Sequence, residues 1–182
     1  MNLLTRSLRF LAAQVFRARD SKLLRFFTTA TSKGGHELDA ETERRWREVC
    51  KRRWGSGGYA SLSPFERTWL NVRSLIDSIQ NGGAISYFYN SGADNLGDCL
   101  EDLRALEATD VRSQIERICG LFPAGVPTDR EERNEVINSW EDSEQYRTID
   151  ALVTDASNIL MPLMDDLEEK LKEHLRRNGL AT

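Results

Sequence analysis

The residue types and spacing with the clearest chemical meaning are acidic side chains in a predicted helix over residues 94–107. They are Asp94, Asp98, Glu101 and Asp102. At 100° per residue, they fall on the side opposite an apolar stripe of leucines and a cysteine. The carboxylates recur at about one per 3–4 Å of helix axis, close to the spacing of phosphates along one DNA strand. This array predicts a surface that binds a basic partner.

The spacing of these acids is costly for the helix itself. Like charges at i, i+4, such as Asp94 with Asp98, destabilise a helix by a few tenths of a kcal/mol. An alternative is that acids simply favour a helix N-terminus, which accounts for Asp94 better than for Glu101. If the acids are kept for binding, neutralising Asp98 and Asp102 should leave the fold unchanged or slightly more stable.

A second acidic group follows a predicted helix that opens at Thr128 and Asp129 and is itself acidic at its start. Its members are Glu141, Asp142 and Glu144, and we expect them to extend the same binding surface. In the C-terminal helix, by contrast, acids precede basic residues at i+4, as Asp166 precedes Lys170. That helix is typical of an ordinary solvated face.

The sequence contains few residues that could act in catalysis or bind a metal ion. The two histidines, His36 and His174, lie far apart, and neither has a cysteine or histidine at metal-ligand spacing. The three cysteines lie within helical patterns and predict buried thiols of a reducing compartment; they are Cys50, Cys99 and Cys119. No pair of carboxylates is marked by apolar surroundings. The sequence predicts a protein that is not an enzyme, with no metal site and no cofactor.

Charge is segregated along the chain. Residues 1–54 hold 13 Lys/Arg and 6 Asp/Glu, net +7, whereas residues 55–182 hold 12 and 23, net −11. Residues 1–34 predict a basic amphipathic helix and a linker that are dispensable for folding. Three interpretations stay open: contact of residues 1–27 with a membrane surface, a transit peptide, or a tail docked on the acidic body.

Residues 35–182 predict one compact all-α domain, because no alternating Val/Ile/Thr-rich segment occurs. Helices are expected over residues 37–54, 64–81, 94–107, about 110–122, about 129–140, about 146–153 and 160–177. The first of these is rich in arginine. It could bind phosphates, but we favour a solvated helix whose arginines pair with acids elsewhere in the domain.

The predicted helices are arranged around the segment Asn81–Gly92. Its glycines, Gly82 and Gly83, allow a sharp break in the backbone. The aromatic residues that follow can bury a large apolar area. We expect a corner between helices with Phe88 in the core.

This segment also resembles the signature of a bacterial DNA-mimic-protein family, an all-helical domain of unknown function. The resemblance rests on motif residues with an expected structural role, Asn81, Gly82, Gly83, Tyr87, Phe88, Asn90 and Ser91. It extends upstream to Leu62–Arg67 and downstream to Leu121–Pro123, and covers about residues 60–175. It implies an acidic protein, dimeric in the described member, that sequesters a transcription factor. This chain departs from that picture in its basic N-terminal third and its net charge of only −4.

The sequence therefore predicts a cytoplasmic protein-binding domain that regulates transcription by occupying the DNA-binding surface of a basic protein. The acidic domain is not expected to bind nucleic acid directly. An immunity- or adaptor-type domain, a membrane-peripheral protein and a homodimer remain open as alternatives. No apolar run approaches the ~20 residues needed to span a bilayer.

Overall fold

The computed structural model describes residues 40–181, whose regular structure is helical throughout, so the all-α prediction is confirmed. The α-helices are α1 (Ala40–Trp54), α2 (Pro64–Gly82), α3 (Ala84–Tyr89), α4 (Leu96–Ala105), α5 (Thr109–Cys119), α6 (Arg130–Ser139), α7 (Tyr146–Leu160) and α8 (Met164–Arg177). Short 3-10 turns lie at Tyr59–Ser61, Ser91–Asn95, Trp140–Asp142 and Met161–Leu163. The predicted extension and linker of residues 1–34 lie outside the described residues.

Helix α2 is the central element, and its start was predictable from local sequence. Ser63 accepts a hydrogen bond from the Glu66 amide, and the Glu66 side chain accepts one from the Ser63 amide, with Pro64 at the first helical position. This capping box satisfies amides that the helix itself leaves unpaired. Its apolar face is buried against α3, α4 and α8; the members of that face are Trp69, Leu70, Val72, Leu75, Ile76 and Ile79.

The segment Asn81–Gly92 lies at the centre of the fold, as predicted. Gly83 has φ of 73°, and a Cβ there would lie 3.0 Å from the Ser157 hydroxyl. That hydroxyl accepts a hydrogen bond from the Ala84 amide, which ties α3 to α7. Phe88 has no exposed surface, and its ring lies 5.7 Å from that of Phe122. The short helix α3 therefore fills the space between α2, α6 and α7.

Two predicted helices are interrupted in the structure. The helix expected over residues 94–107 is a 3-10 turn, Ser91–Asn95, followed by α4, which begins at Leu96 and ends at Ala105. The helix expected over 160–177 begins as another 3-10 turn at Met161–Leu163. Pro162 lacks an amide hydrogen and cannot continue the α-helical hydrogen-bond pattern of α7. This 3-10 turn therefore separates α7 from α8.

None of the helices between residues 40 and 181 combines the length and the apolar character that crossing a membrane would require.

Candidate acidic binding surface

A chain of hydrogen bonds links two of the predicted acids on α4. The Tyr59 hydroxyl donates to Asp98 at 2.8 Å, and the Asn71 side-chain amide donates at 2.8 Å to both Tyr59 and Asp102. The Thr68 hydroxyl adds a bond of 2.7 Å to Asp102. Both carboxylates are thus held by side chains from the preceding helix and turn.

The expectation that all four acids lie opposite the apolar stripe is wrong for Asp102. This carboxylate is half-buried against α2, where Asn71 and Thr68 are themselves buried. Burial raises the pKa of Asp102 above its ordinary value, and the donated hydrogen bonds only partly oppose that effect. Helical geometry could have revealed this, since Asp102 lies three residues after Cys99 and four before Leu106, both of which are buried.

Asp94 also differs from the prediction, because it belongs to the Ser91–Asn95 turn and pairs within the chain. Its carboxylate accepts a bond of 2.8 Å from Arg133, a side chain with no exposed surface. Arg133 also donates to the carbonyl oxygens of Phe88 at 2.6 Å and Asn90 at 2.9 Å. Asp94 therefore balances a buried positive charge. Sequence reasoning missed this pair because the neighbours of Arg133 on the chain are exposed acids.

Glu101 is exposed, as predicted, but is not isolated. It forms an ion pair of 2.8 Å with Arg104 one helical turn away. An exposed pair of this kind contributes little to stability. Asp98 is the other exposed acid of the four, with the Tyr59 hydroxyl as its donor. The binding role predicted for these residues stays a prediction.

The second acidic group is larger in the structure than in the prediction. Six exposed acids occupy α6 and the turn that follows it, and within residues 40–181 none of them forms an ion pair. They are Glu131, Glu132, Glu135, Glu141, Asp142 and Glu144. The first three share the outer face of α6, while Arg133 and Ile137 point inward. The sequence already indicated that these acids are unpaired, since neither Glu131 nor Glu135 has a basic residue at i+4.

Comparison with known protein families matches residues 60–178 to DMP19-like proteins. The chain belongs to the DMP19-like protein family. Comparisons with curated proteins and with solved structures found no match. The DMP19-like match spans α2 to α8 and contains both acidic groups, and it agrees with the resemblance expected over residues 60–175. Helix α1 precedes it.

Most of the basic side chains of α1, which lies outside the DMP19-like match, are paired. The expectation that their partners are acids elsewhere in the domain is confirmed for Arg52 and is wrong for Arg44, Arg45 and Arg47, which bind acids of α1 itself. Arg44 and Arg45 bind Glu41, and Arg47 binds Glu43. Arg52 binds Glu66, the residue that also caps α2. Arg53 lies over the rings of Trp54 and Tyr59. Of these contacts, the Arg52–Glu66 pair joins α1 to the family core, and together they leave few free cations on α1.

The thiols of this DMP19-like chain are free and poorly suited to nucleophilic chemistry. Burial raises the pKa of Cys50 and of Cys119 to about 11, and that of Cys99 to about 12. Because the thiolate is the reactive form, such thiols are unreactive near neutral pH. His174 packs its ring 5.8 Å from that of Phe65, and its buried Nε2 atom has no hydrogen-bond partner among the described residues.

Proposed function

We propose that this protein is a non-enzymatic, cytoplasmic protein-binding domain that acts as a DNA mimic. It would occupy the basic DNA-binding surface of a partner such as a transcription factor. Membership of the DMP19-like family supports this class of function. The observation that carries the proposal for this chain is the set of exposed, unpaired acids on α6 and the following turn, which we call the α6 acidic surface.

The α6 acidic surface has a charge spacing suited to this role. Glu131, Glu132 and Glu135 lie within five consecutive residues on one helix face, an axial span of about 6 Å with a mean spacing of about one charge per 3 Å. One DNA strand carries a phosphate per roughly 3.4 Å of its axis. Lysines and arginines arranged to contact successive phosphates would meet carboxylates at a similar interval.

A partner can bind the free carboxylates without first breaking an ion pair inside this protein. An acid that already pairs within its own chain must give up that partner before it can bind another, as Glu101 would have to give up Arg104. The acids of the α6 acidic surface have no such competition within the described part of the chain. A partner that binds them releases counterions, so the affinity should fall steeply with salt.

The acids of α4 have a different place in this proposal. Asp98 is exposed and held by Tyr59, so it can contribute a further fixed charge. Asp102 and Asp94 serve mainly to satisfy buried donors, Asn71 and Arg133 respectively. The contact surface is therefore centred on α6, with Asp98 and Glu101 as additional acids.

Affinity capture followed by elution with DNA tests the proposal. The full chain is immobilised, incubated with cytoplasmic extract at low salt, and eluted with duplex DNA. We expect DNA to release the captured protein, and high salt to prevent its capture. A partner that stays bound through excess DNA would instead favour an adaptor-type function and overturn the mimic.

Two triple variants make the test specific. Replacing Glu131, Glu132 and Glu135 with glutamine should abolish capture. The matched control replaces three exposed acids of α8, Asp165, Asp166 and Glu169, with their amides and should retain capture, although it removes the same charge. Equal loss in both variants would show that only net charge matters and would contradict a defined binding surface.

A further inference from the structure

An open cleft of about 420 Å³ lies between the end of α1 and the start of α6. Arg53 and Trp54 line it on the α1 side, and Arg130 and Glu131 line it on the α6 side. This volume lies within the range of sites that bind small molecules. Because the family match begins at residue 60, the cleft combines a helix outside that match with one inside it.

Two arginines of this cleft have unused hydrogen-bond donors. Within residues 40–181, every arginine forms a hydrogen bond or an ion pair except Arg53, Arg130 and Arg147. Two of these exceptions, Arg53 and Arg130, line the same cleft. A guanidinium carries N–H donors in one plane, a geometry that matches the oxygens of a phosphate or a carboxylate.

The Arg53 side chain is held in place by aromatic rings. Its guanidinium carbon lies 4.7 Å from the centre of the Trp54 ring and 5.8 Å from that of the Tyr59 ring. Contact with ring faces leaves the N–H groups at the edge of the guanidinium able to bind a ligand. Because the side chain is already restrained, binding would cost less conformational entropy than it would for a mobile arginine.

Two carboxylates in the wall already have donors of their own. Asp94 accepts a bond of 2.8 Å from Arg133, and Asp129 accepts bonds of 2.8 and 3.0 Å from two amides of the first turn of α6. The hydroxyls of Ser91 and Thr128 also line the cleft and form no hydrogen bond within the described chain. The unused groups are therefore mainly donors, which favours an anionic ligand.

Two further side chains indicate what the anionic group is attached to. Trp54 is 51% exposed although Arg53 lies over its ring, whereas Trp69 and Trp140 are buried. An exposed aromatic ring beside cationic groups is a surface on which a nucleobase stacks. Glu131 is exposed and unpaired in the described structure. It would repel a bare anion, but a carboxylate accepts hydrogen bonds from ribose hydroxyls.

We propose that this cleft binds a nucleotide. Its phosphates would lie against Arg53 and Arg130, with the unused hydroxyls of the wall as additional donors. Its base would stack on Trp54, and its ribose hydroxyls would donate to Glu131. Inorganic phosphate or an acidic side chain would use the arginines alone and leave the other two groups without a role. The inference does not depend on a partner of the α6 acidic surface.

The test titrates the full-length chain with ADP, which carries all three chemical groups. Binding is followed by calorimetry and through the Trp54 indole N–H signal in proton–nitrogen correlation spectra. We expect that signal to shift and to saturate with the same Kd as the calorimetric titration. We also expect ADP to bind at least roughly ten-fold more tightly than inorganic phosphate, which lacks the base, or adenosine, which lacks the phosphates.

Variants assign each part of the ligand to its side chain. Arg53→Gln and Arg130→Gln should each weaken ADP binding roughly ten-fold or more, because charge-assisted hydrogen bonds are lost. Trp54→Ala should weaken it roughly five- to hundred-fold and affect inorganic phosphate much less. Glu131→Ala should weaken the binding of ADP but not that of inorganic phosphate.

Matched controls separate these effects from general changes in charge or folding. Arg147→Gln removes the other unbonded arginine, which does not line the cleft, and Phe65→Ala removes another exposed aromatic ring. Both should bind ADP as the wild type does, and unchanged melting temperatures would show that all the variants fold.

Three results would overturn the nucleotide site. The first is a wild type that does not bind ADP at millimolar concentration. The second is equal affinity of the wild type for ADP and inorganic phosphate. The third is ADP binding by Arg53→Gln and Arg130→Gln that matches the wild type. None of these would affect the capture of a basic partner by the α6 acidic surface, so the two proposals fail separately.

Discussion

The Arg133 guanidinium donates to the Asp94 carboxylate at 2.8 Å from a position with no exposed surface. Its other donors bind four backbone carbonyls, two at the end of the Asn81–Gly92 segment and two, Pro127 and Thr128, just before α6. One buried side chain thus holds the central aromatic segment to the base of the α6 acidic surface. The position of that surface depends on this contact.

We expect Arg133→Met to destabilise the fold by about 3–5 kcal/mol, because it leaves Asp94 without its counter-charge and the carbonyls without a donor. Urea unfolding followed by circular dichroism measures the loss. Arg130→Met, at an exposed position of the same helix, should change stability by less than about 0.5 kcal/mol. A similar small change in Arg133→Met would contradict the structural role.

Phe88→Ala should destabilise the protein by about 3–5 kcal/mol, since the ring is fully buried between Tyr87 and Phe122. Thermal unfolding and urea unfolding both measure this loss of stability. The comparison is Phe65→Ala, which truncates a half-exposed ring and should cost much less. Equal losses would mean that the Asn81–Gly92 segment is not the centre of the core.

Asp102→Ala should cost about 1–3 kcal/mol, because the buried donors of Asn71 and Thr68 lose their acceptor. The sequence-based expectation concerned amide replacements of Asp98 and Asp102 and stays a prediction, because Asp102→Ala also removes the hydrogen-bond acceptor of Asn71 and Thr68. Glu101→Ala, on the exposed side of α4, is the control and should have little effect. Urea midpoints of the two variants would settle the comparison, and an Asp102→Ala midpoint equal to that of Glu101→Ala would count against the network.

The free energy of unfolding at acid pH should depend on the protonation of Asp102. Burial raises its pKa in the folded state, so the folded protein holds this proton more tightly than the unfolded chain does. The resulting stability is fully present below the ordinary Asp pKa of about 3.9 and is lost as pH rises through the folded pKa. The stability difference between wild type and Asp102→Asn should therefore decrease over that interval.

Urea unfolding of both proteins across acid pH measures this difference, and carboxyl carbon shifts in the spectrum give the pKa of Asp102 directly. Asp77 also has a pKa raised by burial, against the opposing effect of Arg73, and is present in both proteins, so its contribution cancels. A difference that grows with rising pH would mean that the hydrogen bonds outweigh burial.

Local chemistry in the sequence was enough to place the start of α2 and the centre of the fold. Ser63, Pro64 and Glu66 form a capping box by their spacing alone, and Gly83 adopts the positive φ that few other residues tolerate. Two of the adjacent aromatics of the same segment, Tyr87 and Phe88, are buried in the core. These features depend on residues within a few positions of one another, so they are visible without the fold.

Only the tertiary structure decided that Asp94 and Asp102 are engaged by donors from other parts of the chain. Helical periodicity gives the direction of Asp102 relative to Leu103, but it does not say that Asn71 and Thr68 lie on that side with donors to satisfy. In the same way, the sequence does not distinguish Arg133 from an ordinary surface arginine. The packing of the helices buries it against Phe88 and Asp94. A carboxylate's availability depends on donors that come from distant parts of the chain, and their proximity arises only when the helices pack.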